Sequence, residues 1–81
     1  MSIRVQIKRE RFEEEMAKRN LSGGQLSEML GISHTHLSQC IRGISHPSSK
    51  IREKILSILY PLQWEDIFFT LNSHSIEDKA K

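Results

Sequence analysis

Gly31 stands between two short apolar periods and constrains the fold more than any other residue. Upstream of it Leu26, Met29 and Leu30 recur at helical spacing, and downstream Leu37, Cys40 and Ile41 do the same. A glycine tolerates the left-handed conformation in which helices commonly stop, and Ser33 then offers a hydroxyl to cap a new one. Ser22 is placed to cap the upstream helix in the same way, ahead of the flexible Gly23-Gly24 pair. The chain is therefore expected to turn from one helix into the next within about three residues. The downstream helix, opening at Ser33, carries through Arg42 to a stop at Gly43.

The flanks supply the rest of a small core. Ile3, Val5 and Ile7 alternate with Arg4 and Gln6, the period-2 pattern of an extended arm that lies on the domain or pairs with a second copy. A first helix is expected from Lys8 to Asn20, with Phe12 and Met16 on one face beside Ala17. Residues 44–49 read as a loop, with Pro47 suited to a turn or a first helical position. Ser48 or Ser49 caps a fourth helix carrying Ile51, Ile55, Ile58 and Leu59, which Tyr60-Pro61 breaks. Leu62, Trp64, Ile67, Phe68 and Leu71 describe a short fifth helix, Glu65 and Asp66 lying near its positive end. The expected fold is all-α, five short helices: an arm over 1–7, a compact domain over 8–71 and a flexible tail over 72–81.

Composition narrows the function. Eighty-one residues, 37% hydrophobic and 6% aromatic, close one core and leave no large enclosed substrate cavity. The single cysteine, Cys40, rules out an internal disulfide framework, and no apolar run approaches the roughly eighteen residues that span a bilayer. Arg4, Lys8, Arg9 and Arg11 near the N-terminus are not followed by the apolar stretch of a signal peptide, so a reduced, cytoplasmic setting is expected. Residues 1–60 hold ten Lys/Arg against six Asp/Glu, and residues 61–81 hold two against four. The basic charge thus sits upstream, where a nucleic acid would be met, although a solvated surface accounts for it equally well.

The pattern Leu26, Ser27, Leu30, Gly31, Ile32, Leu37, Cys40, with the stretches Leu21-Ser22 through Ile32-Ser33 and Leu37-Ser38 through Arg42-Gly43, resembles the helix-turn-helix of the phage repressor and Cro family, also called the XRE family. The resemblance covers roughly residues 8–71 and implies a compact five-helix, lambda-repressor-like DNA-binding domain. In it, small Ser27 lets the two helices cross closely and the helix from Ser33 to Arg42 enters the major groove.

It further implies that His34, Thr35, Ser38 and Gln39 read base edges, with His36 lateral to them. Their chemistry suits the task, since Gln pairs with adenine, His donates to guanine and a Thr methyl meets the thymine methyl. Phosphates would be held by Ser22, Gly23 and Gln25 at one helix N-terminus, and by Arg42, His46, Ser48, Ser49 and Lys50 around the following loop. Two positions depart from the family pattern: Gly23 stands where relatives carry a polar residue, often Gln, and Ile41 where Glu is common. Ile41 is either extra core or, with Phe69, a contact to a second copy.

Other chemistries fit less well. His36 and Cys40 stand four apart, but a structural zinc site wants four ligands and Cys40 falls on the apolar face. No nucleophile elbow or phosphate loop is present, and Ser22, Ser33, Ser48 and Ser49 are explained as caps. The expectation is a protein without metal, cofactor or catalysis: a sequence-specific regulator of the repressor type, binding double-stranded DNA as a homodimer on a two-fold operator, cytoplasmic and held on the nucleoid. The alternatives are an antitoxin that autoregulates its promoter beside a protein partner, and a protein-interaction module that keeps the fold without the DNA face.

Overall fold

The computed structural model describes residues 3–72. In chain order it contains β1 (Ile3–Ile7), α1 (Arg9–Lys18), α2 (Gly23–Leu30), α3 (His34–Ile41), α4 (Ser49–Ile58), α5 (Trp64–Ile67) and β2 (Phe68–Asn72). The residues from 73 onward in the expected tail lie outside this range.

Local chemistry sets most helix ends. Ser22 and Gln25 form a reciprocal capping box: the Gln25 N–H donates to Ser22 Oγ (3.1 Å) and the Ser22 N–H donates to Gln25 Oε1 (3.0 Å). Ser33 Oγ accepts from the His36 N–H at 3.0 Å, and Ser48 Oγ, rather than Ser49, accepts from the Ile51 N–H at 3.3 Å. Gly31, at φ 74°, closes α2 by letting the Ile32 N–H donate back to the Ser27 carbonyl (3.0 Å). Gly43, at φ 82°, does the same for α3 through the Ile44 N–H and the Gln39 carbonyl (2.9 Å).

The core is one cluster built from Ile7, Phe12, Met16, Leu26, Leu30, Leu37, Cys40, Ile55, Leu59, Ile67 and Phe68. Two residues expected on apolar faces are not in it. Ala17 is exposed, and the buried neighbour of Phe12 and Met16 on α1 is instead Glu15. That carboxylate is tolerated because Arg11 (3.3 Å), Lys18 (3.6 Å) and Arg19 (3.5 Å) surround it. Met29, 51% exposed, points off the side of α2 that Leu26 and Leu30 bury.

The fifth helix also differs from expectation, and the extended N-terminal arm supplies the reason. After one turn capped by the Gln63 N–H donating to Asp66 Oδ2 (2.8 Å), the chain leaves α5 and becomes a strand antiparallel to β1. The register runs from Ile3 opposite Asn72 to Ile7 opposite Phe68, and the Lys8 N–H continues the ladder to the Ile67 carbonyl (2.6 Å). The arm thus pairs within its own chain. Aromatic and β-branched residues at 68–70 favour a pleated surface, and β1 offers a row of unpaired backbone groups that a longer α5 would leave exposed.

The molecule is therefore mostly helical with a small sheet, not all-α. In a helix, Trp64, Phe68 and Leu71 would share a face; in the strand, Phe68 and Leu71 point to opposite sides. Phe68 is buried against Trp64, ring centroids 5.6 Å apart, whereas Leu71 and Phe69 lie outside the core cluster.

Candidate nucleic-acid interface

Helices α2 and α3 meet across the turn at Gly31. Leu37 and Cys40 anchor α3 from below, each 1% exposed, with Ile41 half-buried beside them and packed on the core. Ile41 thus serves the core of the single chain. The residues left on the outer side of α3 are His34 and Thr35, both exposed, and Ser38 and Gln39, both half-buried. All four lie on the one helix and carry polar side chains.

Gln39 is tied into the following loop more firmly than its position suggests. Its carbonyl accepts from the N–H groups of both Ile44 (2.9 Å) and Ser45 (3.1 Å), and its side-chain oxygen accepts from Ser45 Oγ at 3.4 Å. His36 is half-buried with Nε2 3.9 Å from Cys40 Sγ. Burial raises the Cys40 thiol pKa above its ordinary value. Among the described residues no three His, Cys, Asp or Glu side chains converge.

The residues expected at phosphates fall at the N-termini of α2 and α4, except Arg42 and His46, which lie at the end of α3 and in the loop that follows it. At α2, the capping box engages the Ser22 and Gln25 N–H groups and uses Ser22 Oγ as an acceptor, leaving the Ser22 O–H and the Gly23 and Gly24 N–H groups without an acceptor among the described residues. Two N–H groups with the helix dipole behind them favour an anion. At α4, Ser48 is occupied as the cap, while Ser49 and Lys50 are exposed on the first turn. Arg42 is exposed at the end of α3; His46 is half-buried, its Nδ1 enclosed and without a partner among the described residues.

Sequence reasoning missed the residues that hold these loops. Arg52 Nη1 donates to the Pro47 carbonyl (2.9 Å), and Lys54 Nζ donates to the Leu30 carbonyl (3.4 Å) at the end of α2. A signal for the first was present. A cation near the positive end of a helix opposes the dipole, so Arg52 in the opening turn of α4 calls for a carbonyl partner. Lys50 stands in that same turn and has no such partner among the described residues.

A family model described as helix-turn-helix matches residues 12–59, more than half of the 81-residue chain and the span from α1 to the end of α4. No curated protein and no solved structure matches the chain. The matched span contains the glycine turn, both capped helices and the polar α3 row. The chain belongs to the Cro-like (XRE) helix-turn-helix family of DNA-binding proteins.

Proposed function

We propose that this DNA-binding regulator acts as a sequence-specific repressor, binding a two-fold operator as a homodimer in the cytoplasm. The observation that carries this reading is the polar row His34, Thr35, Ser38 and Gln39 on one helix, beside the α2 N-terminus whose Gly23 and Gly24 N–H groups have no acceptor among the described residues. Base edges in the major groove are read by such side chains, and phosphates on either side are met by free N–H groups and cations. Ser22, Gly23 and Gln25 hold one phosphate, and Arg42, His46, Ser48, Ser49 and Lys50 the other.

The second copy is proposed to contact Phe69. On the ribbon Phe69 shares a face with Arg4, Gln6 and Leu71, opposite the face that buries Ile7 and Phe68. Phe69 and Leu71 are half-buried yet lie outside the core cluster, so a partner would remove apolar area from water. Ile41, already used by the core, contributes to this contact at most its exposed edge.

Selection from random duplexes at low salt tests the function. A single enriched motif with two-fold symmetry is expected, and enrichment of no sequence overturns the proposal. Sedimentation tests the dimer: the unmodified protein on its enriched duplex is expected as two copies, and Phe69→Lys as one.

A further inference from the structure

We propose that Gly23 is a positioning residue for base choice, acting through His34; the proposal rests on the reading of His34 as a base-contacting side chain. A Cβ built on Gly23 would lie 2.7 Å from His34 Nε2 and 3.2 Å from its Cδ2. The imidazole of the first residue of α3 is therefore seated against the first turn of α2, in space that any other residue at position 23 would fill.

Nothing in the backbone asks for glycine there. Gly23 is helical, and its conformation is open to any residue, unlike Gly31 and Gly43 at positive φ. Glycine is a poor helix former, so helix propensity does not account for it either. The neighbouring Gly24 makes the contrast: a Cβ there would meet only Ser22 Oγ, at 4.0 Å, and has open space. What distinguishes position 23 is the ring above it.

The consequence concerns choice of sequence more than affinity. His34 is otherwise exposed, and the torsion that turns its ring is broad, so contact with α2 is what narrows the directions in which Nδ1 and Nε2 point. A methyl group at position 23 pushes the ring outward without disturbing the fold, because the crowded atom is the far end of a movable side chain. The N–H groups of Gly23 and Gly24 stay where they are, so contact with a phosphate is retained while His34 is displaced.

The test compares selections from random duplexes for the unmodified protein, Gly23→Ala, His34→Ala and the Gly23→Ala/His34→Ala double variant. Gly23→Ala is expected to lose on the order of tenfold discrimination at the one base pair that His34→Ala also affects, the range of a single base contact. The double variant is expected to match His34→Ala. An unchanged preference for Gly23→Ala, or an added loss in the double variant, overturns the positioning role and leaves the DNA reading intact. Enrichment of no sequence by the unmodified protein overturns the DNA reading and this role with it. Without DNA, nuclear Overhauser contacts between the His34 ring and the Gly23 α-protons are expected; their absence overturns the seat itself.

Discussion

Arg52 Nη1 donates to the Pro47 carbonyl at 2.9 Å, fastening the loop between α3 and α4 to the helix that follows it. The loop carries His46 and leads into Ser48, Ser49 and Lys50, so a residue that need not touch DNA holds several that are proposed to do so. Arg52→Ala is expected to weaken binding to every duplex alike while leaving the preferred sequence unchanged. Titrations of the enriched duplex and of a scrambled one check this; a changed preference would place Arg52 at a base.

Base contact and phosphate contact separate by their salt dependence. Gln39→Ala is expected to lose about 1–3 kcal/mol of discrimination at one base pair. Arg42→Ala and Lys50→Ala should weaken all sequences and each reduce the salt slope of log K by about one. Binding isotherms across a salt series on matched and single-mismatch duplexes distinguish the two behaviours.

The ribbon is predicted to contribute to stability as core. Ile7 is 4% exposed and pairs with fully buried Phe68, although the two stand at opposite ends of the chain. Ile7→Ala is expected to cost about 2–5 kcal/mol, as for other buried large-to-alanine changes. Denaturant unfolding followed by Trp64 fluorescence measures it, and a loss under about 0.5 kcal/mol, as for a surface site, would mean that β1 is not part of the cooperative unit.

Glu15 is a buried carboxylate held by three cations, and Arg19 also donates to the Leu59 carbonyl (3.0 Å), linking the ends of α1 and α4. Glu15→Ala should destabilise by about 1–3 kcal/mol, below the cost of breaking a fully enclosed pair because the arginine and lysine partners retain solvent. The midpoint of denaturant unfolding at constant m checks the size. A neutral result would assign the cluster no net role in stability.

Burial raises the Cys40 thiol pKa, so the unfolded chain releases this proton at lower pH than the folded one. The stabilisation is complete below the unfolded thiol pKa and is lost as pH rises towards the folded value. Stability of the unmodified protein should therefore fall more steeply on the alkaline side than that of Cys40→Ala. Alkylation of Cys40 should follow global unfolding, which native and denatured labelling rates compare directly.

Sequence alone determined what depends on neighbours along the chain. The caps at Ser22 and Ser33, the left-handed stops at Gly31 and Gly43, and the polar side of α3 each rest on groups a few residues apart, where side-chain type and helical period decide the outcome. Tertiary structure decided the rest. Ile3–Ile7 and Phe68–Asn72 pair across most of the chain, and that pairing turned an expected helix into a strand, because a strand edge already in place offered backbone partners that helical spacing could not reveal. The seat of His34 on Gly23 is of the same kind: it exists only because the turn at Gly31 folds α3 back over the start of α2.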